Sequence, residues 1–173
     1  FQFLQGLMEI KINFSKFFAY FVMGILFLSV SWNVAFAANG AILVVPASVT
    51  KNYGQEFNVD VKIDGGGPAF NAAKATGTLP SELAVQSLTL GDCGFAFVGT
   101  PTQTDPSFIG VILGGSSKAC TVYTLKVKAQ KTGTGYVVLS DASIKSSKGA
   151  KELLSTVRSG SYTIAQDTSS GIN

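Results

Sequence analysis

Residues 114–120 read GGSSKAC: two glycines, two serines, a lysine and a cysteine within seven positions. Three chemistries use such residues. A glycine-rich turn with a lysine can cradle a phosphate, a serine beside a base can act as a nucleophile, and a thiol can bind metal or form a disulfide. A phosphate cradle needs the turn to run from a strand into a helix, so that the helix N-terminus meets the anion. Here GGSSKAC runs from one strand-like segment, SFIGVIL (107–113), into another, TVYTLKVKA (121–129). A serine nucleophile needs a base within reach, and the chain contains no histidine. A dyad of Ser116 or Ser117 with Lys118 has no other residue to support it. The stretch therefore reads as a turn.

The remaining inventory argues the same way. The carboxylates are dispersed, and a pair such as Asp60 and Asp141 has no spacing that defines a site. No DxDxDG calcium loop occurs, so no cofactor is expected. Calcium held by backbone carbonyls and scattered aspartates has no motif behind it. Cys93 and Cys120 are the only cysteines, and without histidine two distant thiols cannot complete a zinc site. The chain reads as non-catalytic.

The segment KINFSKFFAYFVMGILFLSVSWNVAFAANG gives a compartment. Lys11 and Lys16 are followed by an apolar stretch from Phe17 to Val30, and Ala35-Phe36-Ala37 places small residues at a cleavage position. This is the pattern of a secretory signal peptide cleaved after Ala37. The alternative is an uncleaved membrane anchor, since Phe17 to Ala37 is just long enough to span a bilayer. In an oxidising compartment Cys93 and Cys120 make a disulfide pair, the alternative being two buried thiols. Residues 1–37 are thus a leader and signal, 38–165 a domain, and 166–173 (QDTSSGIN is 166–173) the start of a polar linker that continues in a longer protein. Membrane association is expected only through an uncleaved signal or a C-terminal anchor beyond Asn173.

The 136 residues from Ala38 suffice for one core. They carry eleven Lys or Arg against nine Asp or Glu, scattered, so no basic stripe offers itself to nucleic acid. Strand patterns dominate. FNVDVKI (57–63) alternates Phe57, Val59, Val61 and Ile63 with Asn58, Asp60 and Lys62. TVYTLKVKA sets Tyr123, Leu125, Val127 and Ala129 against Val122, Thr124, Lys126 and Lys128. This period of two describes half-buried strands. AAKATGTL (72–79) alternates likewise, its small Ala73, Ala75 and Gly77 implying a close neighbour. With AILVVPASV (41–49), PSELAVQSLTL (80–90), FAFV (95–98), SFIGVIL, TGYVVLSDASI (134–144) and SYTIA (161–165), this makes eight or nine strands separated by Gly and Pro turns. An all-β sandwich follows. GAKELLSTV (149–157) is the one stretch with helical flavour, and it is short and uncapped.

The order of these segments resembles cohesin domains over residues 41–165. A first strand ending at Pro46 is followed by Gly54 and FNVDVKI. NAAKATGTLPSELAVQSL (71–88) resembles the family's third and fourth strands. ACTVYTLKVKAQKTGTGYVVLSDASI (119–144) is similar to a later strand pair with its glycine-rich hairpin, and SGSYTI (159–164) to the closing strand. The resemblance implies a nine-stranded jelly-roll sandwich, a fold shared with several carbohydrate-binding modules, and docking of a dockerin module on one sheet face that includes the third, fifth and sixth strands. Carried over, the partner-binding face is Asn71, Lys74 and Thr76 with Val122, Thr124 and Lys126. Where the family has an acidic residue two positions after the strand-three Asn, this chain has Ala73.

Three functions are consistent with such a domain: a secreted or cell-surface docking module for a dockerin-like partner, a carbohydrate-binding module taking a polysaccharide, and a structural bead of a stalk. Surface-binding sugar modules present planar aromatic platforms, and the only tryptophan, Trp32, lies in the signal segment. The tyrosines mostly alternate with the core set. The docking reading leads.

Overall fold

Alternation of buried and exposed side chains becomes, in the computed structural model, a two-sheet sandwich covering residues 39–166, the residues the structure describes. The signal segment, its cleavage and all but the first residue of the polar linker lie outside them. Eleven strands are present among the described residues: β1 (Gly40–Val45), β2 (Ser48–Asn52), β3 (Glu56–Asp64), β4 (Phe70–Thr78), β5 (Leu83–Leu90), β6 (Ala96–Gly99), β7 (Phe108–Ser116), β8 (Cys120–Ala129), β9 (Gly133–Ser146), β10 (Leu154–Arg158) and β11 (Gly160–Ala165). One sheet runs β10-β1-β3-β8-β5, the other β2-β11-β9-β4-β7-β6.

The count exceeds nine for two physical reasons. Residues 41–49 form two strands instead of one, because Pro46 has no N–H to continue a ladder and the chain changes sheet there. β1 pairs with β3, while β2 pairs with β11. The segment 149–157, with its helical flavour, supplies β10, a strand parallel to β1. Packing against a sheet edge overrides its local preference.

The core fills the space between the sheets with Ile42, Val44, Val59, Val61, Phe70, Phe108, Tyr123, Leu125, Val127, Val137, Ile144 and Tyr162, all essentially inaccessible. The expected inward set of β3 and β8 is therefore buried together, with Phe57 half-buried against Tyr162. Two buried tyrosines are tied to proline carbonyls: Tyr123 Oη donates to Pro106 O at 2.6 Å and Tyr162 Oη to Pro46 O at 3.0 Å. Pro46 sits where the chain leaves β1 and Pro106 where it enters β7, and the tyrosine hydroxyls satisfy their carbonyls there.

Cys93 and Cys120 form a disulfide with their α-carbons 5.0 Å apart. It joins the segment after β5 to the first residue of β8, beside the backbone bond from Cys93 N to Thr121 O.

Candidate functional site

The two outer faces of the sandwich differ in chemistry. On the five-stranded sheet the outward residues of β3 and β8 are polar or charged, and several are paired with one another. Lys126 pairs with Glu56 at 2.7 Å, Lys62 with Asp60 at 3.6 Å, and Thr124 Oγ1 donates to Asp60 Oδ1 at 2.7 Å. The Lys126 ammonium, by hydrogen bond and charge, holds the Glu56 carboxyl below the usual range. Such a face is solvated and self-contained.

The six-stranded sheet differs at its β4-β7-β6 end. Its outward side chains there are Ala72 and Lys74 of β4, Ile109 and Val111 of β7, and Ala96 and Val98 of β6. Lys74 lies opposite Ile109, and Ala72 opposite Val111, which faces Ala96 in turn. Val98 is 77% exposed, Ile109 49% and Val111 38%. Leu113 goes further, at 95%.

Local sequence explains why Leu113 protrudes. Between Phe70 and Ala72 of β4 the partner strand advances from Ser116 to Val111, so residues 112–115 bulge out of the ladder. Gly114 and Gly115 adopt φ of 83° and 77°, left-handed values that glycine takes without a Cβ clash. GGSS is thus the closing arm of a bulge at the end of β7 and the turn after it. Beneath the row, Phe95 lies over Gly110, where an added Cβ would come within 2.6 Å of the ring, and Phe95 also meets Phe70, Phe97 and Phe108. Glycine at 110 lets this aromatic layer seat the β6-β7 hairpin.

Two shallow depressions border the row. One, of about 160 Å³, is lined by Ala72, Ala73, Lys74, Ile109, Ser143 and Lys145 and is largely apolar. Its wall is fixed by Glu152, which accepts hydrogen bonds from Ser143 Oγ at 2.6 Å, Ile144 N at 2.8 Å and Leu154 N at 3.0 Å, and pairs with Lys145 at 2.9 Å. Burial alone would raise the Glu152 pKa, but these donors bring it down to about 2. The other, of about 260 Å³, is of mixed polarity: Thr76, Thr100, Asp105, Ser107 and Asp141 line it together with Phe108 and Ile109. Asp141 sits at φ 47° on a β9 bulge, between Ser140 opposite Thr76 and Ser143 opposite Lys74. Among the described residues no group of three or more His, Cys, Asp or Glu is arranged to hold a metal.

The structure does not bring the six residues expected as a partner face onto one surface. Asn71, Lys74 and Thr76 stand on β4 in the six-stranded sheet, and Val122, Thr124 and Lys126 on β8 in the five-stranded one. Lys74 and Thr76 are exposed, while Asn71 is half-buried at the β4 irregularity. The outward placement of Val122 is corrected: it is 1% exposed. A bulge in the β3-β8 ladder, where Val61 faces Tyr123 and Lys62 faces Thr121, leaves Val122 without a partner on β3; its carbonyl accepts from Gly91 N and its side chain is buried in the core cluster with Tyr123. The exposed row Val98, Ile109, Val111 and Leu113 was missed because SFIGVIL reads as a buried apolar run. The two adjacent glycines were the available signal.

No protein-family model matches this chain, and no curated protein matches it either. Solved structures do. A non-cellulosomal cohesin from the hyperthermophilic archaeon Archaeoglobus fulgidus superposes with a TM-score of 0.59 at 17% identity, covering 73% of this chain and 91% of its own. The sixth cohesin of scaffoldin B from Acetivibrio cellulolyticus, solved in complex with a Cel5 dockerin mutant, gives 0.59 at 15% over 73% and 99%. A cohesin from a type I cohesin–dockerin complex of Clostridium thermocellum gives 0.58 at 13% over 73% and 94%. The fold of this chain is cohesin-like.

Proposed function

We propose that this cohesin-like sandwich is a non-catalytic docking module of a secreted or cell-surface, polysaccharide-associated assembly, and that it seats a dockerin-like protein on the outer face of β4, β7 and β6. One observation carries the reading: four aliphatic side chains, Val98, Ile109, Val111 and Leu113, stand exposed on adjacent strands, with Leu113 raised on a glycine bulge. Apolar surface grouped in this way and rimmed by Lys74, Lys145 and Asp141 suits a protein interface. Covering it releases about 25 cal/mol per Å² of apolar area. Structural neighbours solved with bound dockerins support the class of partner. The disulfide and the signal pattern support export, since such a bond persists in oxidising compartments.

Immobilised full chain is exposed to a panel of dockerin modules and binding is followed by calorimetry. Binding by at least one module, lost in Leu113→Asp and Val98→Asp variants that unfold at the wild-type temperature, supports the assignment. No binding across the panel, or binding indifferent to both changes, would return the domain to the structural-bead reading.

A further inference from the structure

The other half of the six-stranded sheet is chemically distinct from the docking end. On its outer face β2 presents positions 48, 50 and 52, β11 positions 161, 163 and 165, β9 positions 134, 136, 138 and 140, and β4 positions 76 and 78. None of these twelve is Lys, Arg, Asp or Glu. Solvent-facing strands normally spend such positions on charge, as the β3-β8 face of this same molecule does with its ion pairs. Hydroxyls take their place. Thr163 lies opposite Thr50 on one side and Thr134 on the other, so three threonines form a row across three strands, and the Thr134 and Thr163 hydroxyls are 3.3 Å apart. Beside the row Tyr136 is 56% exposed, and Val138, 40% exposed, continues its line. Tyr136 therefore does not belong to the core set with Tyr123 and Tyr162.

We propose that this half-face binds a neutral polysaccharide, with one sugar ring stacked on Tyr136 and its hydroxyls exchanging hydrogen bonds with the threonine row. The match is one of charge and shape. An uncharged polyol approaching an uncharged face strips no ion of water, whereas a charged ligand would find no counter-charge there. Hydroxyls on adjacent strands repeat at about 4.8 Å across the sheet, a spacing that suits an extended chain and not a compact ligand. The phenol ring offers an apolar face to sugar C–H groups and keeps its own hydroxyl wet. The site shares no residue with the apolar row, so a protein partner and a glycan can be held on one sheet at once.

The full chain is mixed with microcrystalline cellulose, insoluble xylan and, as an anionic comparison, insoluble polygalacturonate, and depletion from the supernatant is measured. Retention is expected on at least one neutral polymer and not on the anionic one. Tyr136→Ala should weaken it at least tenfold, and Thr163→Lys, which sets a charge in the neutral row, should do the same. Leu113→Asp, which targets docking, should leave it unchanged, so the two readings fail separately. Thermal unfolding of each variant identifies any that is misfolded, and the other then decides. The proposal is overturned if no neutral polymer retains the wild type, or if retention survives both Tyr136→Ala and Thr163→Lys.

Discussion

The hydroxyl of Tyr123, on the interior strand β8 of one sheet, donates to the carbonyl of Pro106, in the loop that enters β7 of the other, at 2.6 Å. Burial, with Asp105's charge adding to it, pushes this phenol well above its ordinary pKa, so it remains a donor at any physiological pH. The bond fixes where β7 starts and hence where Ile109 and Val111 emerge. Tyr123→Phe keeps the ring and its edge contact with Phe108 but leaves a buried carbonyl unpaired. A loss of about 1–2 kcal/mol is expected. Urea unfolding should show a lower midpoint at unchanged slope.

The Cys93–Cys120 bond closes a loop across a sequence separation of 27 residues that contains β6 and β7. Constraining that loop in the unfolded chain is worth roughly 3.5 kcal/mol in the loop-entropy picture. Reduction, or the double change Cys93→Ser and Cys120→Ser, should lower stability by about 2–4 kcal/mol. Denaturant titration with and without a thiol reductant measures this, and a difference within about 0.5 kcal/mol would mean that β6 and β7 are held by packing alone.

What the sequence made legible was periodicity. FNVDVKI and TVYTLKVKA alternate without interruption over the residues that pair, so their buried faces and the sandwich itself could be read directly. Ladder irregularities were not legible, because they arise from the partner strand. Val122 obeys the alternation of its own strand, yet the β3-β8 bulge turns it inward. Leu113 ends an apolar run that reads as core, yet the φ values of Gly114 and Gly115 turn it out. Sheet membership was equally hidden. β4 and β8 look alike in sequence, and only their pairing partners separate them. Tyr136 could not be placed because YVVL is apolar on both faces, and which face of β9 meets the core depends on β11 and β4.

Glu152 gives a pH prediction. Its folded pKa lies near 2, below the 4.5 of an unhindered glutamate, so its contribution to stability is complete above about pH 4.5. As pH falls toward 2 the carboxyl is protonated, its pairing with Lys145 is lost, and the bonds that Oε1 accepts from Ile144 N and Leu154 N lose the negative charge that strengthens them. The 146–154 segment should then loosen before the sheets separate. Hydrogen exchange at the Leu154 amide, measured from pH 5 to pH 2.5 and corrected for intrinsic rates, should accelerate in the wild type. In Glu152→Ala, which removes the acceptor, it should already be fast at pH 5. A corrected rate independent of pH in the wild type would contradict the assignment.

Two faces compete for a protein partner, and a pair of substitutions separates them. Lys126 on β8 is already engaged by Glu56, while Ile109 on β7 points outward with no covering group. Ile109→Asp places a carboxylate where the apolar row would be desolvated, which should weaken dockerin affinity by about 2 kcal/mol or more, roughly 30-fold. Lys126→Glu reverses a charge that only the opposite face feels, and it should shift affinity by less than about twofold. Its own cost to folding is small, since the lost ion pair and the new repulsion with Glu56 are exposed and screened by solvent. Calorimetric titration of both variants with the same dockerin reads the contrast directly. If Lys126→Glu abolished binding and Ile109→Asp did not, the interface would lie on β8 and its neighbours, and the apolar row would need another occupant.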